Sequence, residues 1–411
     1  MAINEADWKI EHQCPQCGAP VLLTETDRVL ACPFCKTRLY LVTQDHFRYF
    51  IPTPQKQGKG ILYLPYWRFK GISYAVQADE ISSRFIDSSL LATDGASLPS
   101  SLGLKPQAMK LKFVSPDTEG QFLEASRPFE LIMPTVKASD ALAHVYHRAF
   151  IGETISMVYA PAYIENGLLH DALLERPLCA WQDDSPPVAD DAKPPDWRVR
   201  FVPTLCPRCG WDMQGERDAH VLTCKNCDSA WSSSGTTFTE IPFTILSAAT
   251  REAVVYLPFW RMKPRVEGIA LNSYADLIRL ANLPRAIQPD FASTPVYFWS
   301  PAFKVHPALF LRWSRQMTVF QPSGKICDSF SGLSCYPVIL TSREAVETMK
   351  ITLAQIAIDK RGIYPLLDDL KLSADEITLV YHPFLVGQRE LTHEIMRLTI
   401  ARTALNYGVY L

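Results

Sequence analysis

The chain has no apolar run long enough to cross a bilayer as a helix. Such a helix needs roughly 18 or more consecutive apolar residues, and stretches such as Ala253 to Trp260 are only strand-length. It also lacks an excess of charge of one sign: the formal net charge is −2. Neither nucleic acid nor an anionic membrane surface is therefore expected as a partner. The N-terminus does not place a basic segment before an apolar one, so no secretion signal is expected and the cytoplasm is the expected location. Phosphate-binding G-x-x-x-x-G-K-[ST], dinucleotide-binding G-x-G-x-x-G and the G-x-S-x-G nucleophile elbow are all missing. His393-Glu394 begins like a metalloprotease helix, but Arg397 stands where the second histidine belongs. No catalytic residue and no organic cofactor is assigned.

What is present is a globular balance. Of 411 residues, 47% are hydrophobic and 20% charged, enough for two to four ordinary domains with real cores. Eight of the eleven cysteines form Cys-x-x-Cys pairs, and Cys179, Cys327 and Cys335 stand apart. Without a secretion signal, that pattern reads as metal ligation in a reducing compartment and not as a disulfide framework.

The pairs are written twice. Cys14-Pro-Gln-Cys17-Gly is followed after fourteen residues by Cys32-Pro-Phe-Cys35, and Cys206-Pro-Arg-Cys209-Gly after fourteen by Cys224-Lys-Asn-Cys227, at an offset of 192. Tyr63-Leu-Pro-Tyr-Trp-Arg-Phe-Lys70 is matched by Tyr256-Leu-Pro-Phe-Trp-Arg-Met-Lys263 at 193. Phe113-Val-Ser-Pro116 resembles Phe298-Trp-Ser-Pro301 at 185, and Met157-Val-Tyr-Ala-Pro161 resembles Leu379-Val-Tyr-His-Pro383 at 222. Landmarks in one order, with offsets drifting by loop-sized insertions, argue for a tandem duplication.

Tyr-x-Pro occurs four times, from Tyr63, Tyr159, Tyr256 and Tyr381, each time opening a stretch of strand character. Proline places such a stretch at a strand start or an edge. Asn166-Gly167 reads as a type I′ hairpin turn. Helices are expected over Ser139 to Phe150, Pro307 to Thr318, Ser342 to Arg361 and His393 to Leu405. The expected fold class is α+β: two tandem copies of a zinc ribbon followed by a mixed strand-and-helix body. The expected divisions are ribbon 1 at 1–45, body 1 at 46–181, a Pro/Asp-rich linker at 182–196, ribbon 2 at 197–238 and body 2 at 239–411. The linker holds four prolines and five aspartates, which can bury nothing and cannot continue a helix.

Thiolate suits zinc, and two Cys-x-x-Cys turns on neighbouring hairpins supply a complete tetrahedral shell. The expected ligands are Cys14, Cys17, Cys32 and Cys35 for one ion and Cys206, Cys209, Cys224 and Cys227 for the other. Gly18 and Gly210 permit the positive φ that follows such a turn. Over residues 13–39 and 205–231 the chain resembles the zinc-ribbon class, with knuckles of the rubredoxin type. The resemblance implies two structural Zn²⁺ ions and leaves the function open. Each ribbon is expected to hold its metal independently of the other.

Further residues draw attention. His144 and His147 would lie one turn apart on a helix, where a metal or simple partial exposure are both readings. Arg68 with Lys70, and Arg261 with Lys263, sit beside aromatics at repeated positions; an anion-binding surface competes with charged tips snorkelling from a strand face. Aromatic residues of the Tyr-x-Pro strands are candidate interface anchors against a plain core role. The functional expectation is a non-catalytic, cytoplasmic interaction or scaffold protein whose partners are other proteins. The alternatives are a nucleic-acid-binding accessory factor and an enzyme with a site not visible in the sequence. Partner identity, pathway, oligomeric state, a site between the halves and the roles of Cys179, Cys327 and Cys335 are not legible.

Overall fold

A computed structural model of the chain describes residues 8–53, 60–95, 97–103, 110–132, 144–181, 194–235, 237–249 and 253–407. It is 15% helical and 42% strand, a mixed α and β architecture. The first half runs β1 (Lys9–Gln13), β2 (Pro20–Thr24), β3 (Val29–Ala31), β4 (Arg38–Val42), β5 (Phe47–Phe50), β6 (Leu62–Val76), β7 (Ile81–Leu91), β8 (Lys110–Phe113), β9 (Gln121–Phe122), β10 (His147–Glu165), β11 (Leu168–Asp171) and β12 (Pro177–Ala180). The second runs β13 (Arg200–Pro203), β14 (Val221–Cys224), β15 (Ser229–Ser234), β16 (Thr237–Ile241), β17 (Phe243–Leu246), β18 (Val254–Glu267), β19 (Phe298–Pro301), β20 (Ile326–Cys327), β21 (Lys371–Val386), β22 (Glu390–His393) and β23 (Thr399–Ala401).

Each half is organised around one long antiparallel pair. In β6 and β10, Tyr63 faces Pro161, Leu64 faces Ala160 and Pro65 faces Tyr159. In β18 and β21, Tyr256 faces Pro383, Leu257 faces His382 and Pro258 faces Tyr381. Two Tyr-x-Pro segments thus pair head to tail, twice, in the same register. β5 runs parallel to β10 as β17 does to β21.

These prolines stand inside central strands, not at the starts or edges expected from sequence. β6 lies between β7 and β10, and β18 between β19 and β21. The sheet tolerates them because each occupies the first position past the end of a flanking ladder. The β6–β7 ladder ends at Tyr66 opposite Leu91, and the Ala92 amide then donates to the Pro65 carbonyl at 2.9 Å. The Ala92 carbonyl, which an ordinary residue at 65 would serve, accepts from the Arg127 amide instead. Ala302 treats Pro258 the same way, and Leu340 donates to Ala302. Ala172 and Glu394 donate to the carbonyls of Pro161 and Pro383. A missing N–H is harmless where no acceptor waits for it.

One sequence landmark does not hold. Phe113 closes β8, which pairs with β5 and β1, whereas Phe298 opens β19, which pairs with β18. By register, β19 corresponds to β7 and β8 to β20: Trp67 and Trp260 face Leu90 and Ser300, while Phe50 and Ile245 face Lys112 and Cys327. A four-residue match without its partner strands carries too little information to fix a place in a sheet.

The helix expectations fared unevenly. Pro307–Phe320 is a helix. Of Ser139 to Phe150, residues 139–143 lie outside the described residues, His144 has a positive φ of 51°, and His147 begins β10. The helix-forming alanines were overridden by the pairing of Ala149 and Ile151 with Tyr74 and Ile72. Ser342 to Arg361 is broken into Ser342–Glu347, Met349–Ile356 and Lys360–Ile363, capped by Thr341, whose side chain accepts from the Glu344 amide. His393 to Leu405 is mostly strand and turn, ending in a short helix, Arg402–Tyr407. The helix Tyr274–Ala281, with its Ser273–Asp276 capping box, was not anticipated. Asn166 and Gly167 have φ of 53° and 72°, as the type I′ turn requires.

The halves share cores. Ile72, Tyr74, Val76, Ala149 and Ile151 from the first half pack in one cluster with Phe310, Leu340 and Met349 of the second. His147 Nδ1 lies 2.6 Å from the Asp368 carboxylate, and Lys360 donates to the Asp79 carbonyl at 3.3 Å. The 182–196 linker lies largely outside the described residues. Just after it, Trp197 is buried in the first half's core and donates to Thr43 and Asp45.

Trp67 and Trp260 are core residues: their indole N–H groups donate to the carbonyls of Arg127 (2.8 Å) and Leu340 (2.9 Å). Tyr66 and Phe259, the aromatic residues preceding them in the strands, are 2% and 0% exposed. Around the Tyr-x-Pro segments neither face of these strands is open to a partner, and only the far end of β18, at Lys263, Arg265 and Glu267, is exposed.

The second core contains two histidines. The amides of Ile395 and Met396 donate to His393 Nδ1, so its proton is on Nε2, which donates to His382 Nδ1 at 3.1 Å. At the corresponding place in the first half, Asp171 Oδ1 accepts from Leu173 and Leu174. Burial pushes the His393 imidazole from 6.5 down to about 4, and His382 well below its ordinary value. A base with a depressed folded pKa leaves stability intact above the unfolded value and removes it as pH falls toward the folded value. We expect His393 to withdraw up to about 3 kcal/mol between pH 6.5 and 4. Denaturant titrations across that range should show a shallower slope for His393→Asn, which keeps an acceptor for the two amides. An unchanged slope refutes the assignment.

Candidate metal centres

Three of the four cysteine pairs join two short strands. Cys14–Cys17 joins β1 to β2, and Cys32–Cys35 joins β3 to β4. Cys224–Cys227 joins β14 to β15, and Cys206–Cys209 follows β13. The amide four residues after the first cysteine returns to its carbonyl: Gly18 to Cys14 and Gly210 to Cys206, both at 2.8 Å, and Lys36 to Cys32 at 3.1 Å. Gly18 and Gly210 have φ of 72° and 73°, as expected, and Lys36 and Asp228 hold the same conformation at 63° and 47° without glycine. At Asp228 the side chain offsets the strain by accepting from the Phe330 amide at 2.7 Å.

The sulfurs of each quartet converge within 4.8 Å of one another. Cys14 and Cys35 are 3.8 Å apart, Cys17 and Cys32 3.7 Å, Cys206 and Cys227 3.6 Å, and Cys209 and Cys224 3.5 Å. A tetrahedron with metal–sulfur bonds of about 2.3 Å has edges of about 3.8 Å. The quartets therefore fit a four-coordinate metal ion. In every Cys-x-x-Cys pair the first cysteine is buried and the second more exposed. The Thr37 side chain and amide hold Cys35 down at about 6, and Asn226 and the Trp211 amide do the same for Cys209. With a metal ion bound, four thiolates would complete a tetrahedral shell.

The two centres are not separate modules. β4 pairs antiparallel with β13, from Leu39 opposite Pro203 to Val42 opposite Arg200. The amides of Arg28 and Val29 both donate to the Arg217 carbonyl, at 2.6 and 2.8 Å. Arg38 bonds the Gly215 carbonyl, and Arg217 pairs with buried Asp27. Val29, Tyr40 and Val42 of the first ribbon pack in one small core with Cys206, Met213, Leu222, Cys224 and Trp231 of the second. The expected independence of the ribbons is at odds with this shared core.

The other candidates resolve differently. Arg68 is neither a surface cation nor a snorkelling one: it is 3% exposed, pairs with Glu25 (3.3 Å) and Asp87 (3.1 Å), and stacks 3.6 Å from the Trp8 ring. Arg261 lies over Tyr297 at 4.8 Å and reaches Glu376 at 4.0 Å. His144 and His147 do not share a helical turn and belong to no ligating group among the described residues. Neither do Cys179, Cys327 and Cys335; burial raises the Cys335 thiol to about 11, which makes it a poor nucleophile. A cleft of about 1540 Å³ opens beside Cys14. Of its carboxylates Glu11, Asp117 and Glu119, the first two are paired with Lys110 and Arg198 and the third is exposed, which suits solvated surface groups better than acid–base chemistry.

No family model, no curated protein and no solved structure matches the chain.

Because the ribbons share a core through Val29, Tyr40 and Val42, Cys32→Ser should weaken the second site as well as the first. Zinc competition with a chromophoric chelator should show the remaining quartet binding at least about tenfold more weakly, equivalent to about 1.4 kcal/mol. Wild-type affinity at the second site in that variant would show that the shared core carries no coupling.

Proposed function

We propose that the chain is a tandem duplication of a four-cysteine ribbon and an α+β body, in which two zinc ions act as structural staples, and that it serves in the cytoplasm as a non-catalytic interaction scaffold. The duplication rests on the recurring register of the Tyr-x-Pro pair and on the shared indole-to-carbonyl bond of Trp67 and Trp260. Zinc rests on the all-sulfur donor sets with tetrahedral spacing. Ribbons this small bury little apolar area, so a metal replaces the core they lack.

The observation that carries the interaction reading is the apolar tip of the paired ribbons. Phe34, Leu205 and Trp211 are 63%, 48% and 62% exposed. Phe34 lies on the turn before β4, and Leu205 and Trp211 flank the turn after β13. Since β4 and β13 are antiparallel neighbours, both turns project from one end of the same small sheet. Large apolar groups held out on rigid, metal-tied turns suit protein contact.

Phe34→Ser with Trp211→Ser tests this. Zinc content of two ions per chain and the melting temperature should not change. Proteins co-purifying with the wild-type chain should be lost from the variant. Retention of the same partners would move the interface elsewhere, and stoichiometric iron would overturn the zinc assignment.

A further inference from the structure

Resting on the reading of this chain as an interaction protein, we propose that a groove in the second half docks an acidic, apolar peptide segment of a partner protein. The groove lies between the C-terminal end of the helix Pro307–Phe320 and the turn between β22 and β23, and its volume is about 380 Å³. Its walls are Leu283, Val319, Phe320, Met396 and Leu398.

Both sides are fixed in place. Gln321 ends the helix in a left-handed conformation, φ 52°, and its side-chain amide donates to the carbonyls of Tyr297 and Thr318, each at 2.6 Å. That leaves Phe320 projecting, 51% exposed. On the other side, His393 Nδ1 accepts the amides of Ile395 and Met396, and Arg397 turns the chain with φ 57°, which holds Met396 and Leu398 toward the helix. The turn with Leu173 and Leu174 corresponds in the first half, whereas the helix Pro307–Phe320 that walls the groove is an element of the second half.

Charge selects the occupant. Arg285 and Arg315 are exposed and line the groove, and no aspartate or glutamate does. Arg315 precedes Val319 by one helical turn, so the cation and the apolar wall share a face. Arg285 donates to the Tyr274 hydroxyl at 2.8 Å, which orients it without neutralising it. Among the described residues neither guanidinium is paired with a carboxylate. By contrast, exposed Arg208, Arg198 and Arg279 each have one. Two unneutralised arginines beside an apolar depression are complementary to carboxylates flanking apolar side chains.

The test uses the full-length, metal-loaded chain and a fluorescein-labelled peptide, Glu-Glu-Leu-Phe-Glu-Leu-Phe-Glu, followed by anisotropy. The peptide should bind, a glutamine-for-glutamate version should bind at least about tenfold more weakly, and added salt should weaken the difference. Arg285→Gln with Arg315→Gln should lose about tenfold toward the acidic peptide and nothing toward the neutral one. Both substitutions are on exposed side chains, and metal content with circular dichroism verifies that the fold is kept. Equal binding of both peptides, absence of binding, or displacement by dodecanoate at equal concentration, which points to a fatty-acid site, would each overturn the proposal. If the groove fails while the Phe34/Trp211 variant still loses partners, only the groove is refuted. If both fail, the interaction reading falls with it.

Discussion

The fold depends on where a strand is allowed to have no amide hydrogen. Pro65, Pro161, Pro258 and Pro383 each face a neighbour that has just ended, so each supplies a carbonyl and withholds nothing that is needed. This fixes how far β7, β11, β19 and β22 run beside the central pair. It also fixes where the chain turns inward, so the Arg127 and Leu340 carbonyls meet the indoles of Trp67 and Trp260. Proline acts here as a length rule for its neighbours more than as a breaker of its own strand.

From that frame the halves diverge. At the centre of the pair, Leu64 faces Ala160 in one half, and Leu257 faces His382 in the other. The turn acceptor is Asp171 in one and His393 in the other. In the second half the two replacements meet as a hydrogen-bonded histidine pair beneath Trp313 and Phe384. The second half also carries the helix Pro307–Phe320, and the first half's long strands lend Ile72, Tyr74 and Ile151 to that helical layer. One plan thus supports different interiors, and each half finishes part of the other's core.

The metal centres repeat this interdependence on a smaller scale. Each quartet is local in sequence, but the apolar residues between the two quartets come from both ribbons. A ribbon of a few short strands cannot bury enough surface alone. Back-to-back packing through Tyr40, Trp231 and Met213 supplies what each lacks and leaves Phe34 and Trp211 on the outside.

Features encoded by short spacing were legible in the sequence. The eight cysteines, the positive φ at Gly18 and Gly210 and the Asn166-Gly167 turn follow from local chemistry that needs no distant partner. Features that depend on a distant partner were not. Arg68 looks like a surface cation until Glu25, Asp87 and Trp8 are placed around it. The segment after His144 looks helical until β6 offers a ladder, and Phe113 looks like Phe298 until their neighbours are compared. The ribbons look separate until β4 meets β13. Periodicity and ligand spacing act within a few residues, whereas burial, ion pairing and strand order are settled by contacts between segments far apart in the chain, and only the tertiary structure brings those together.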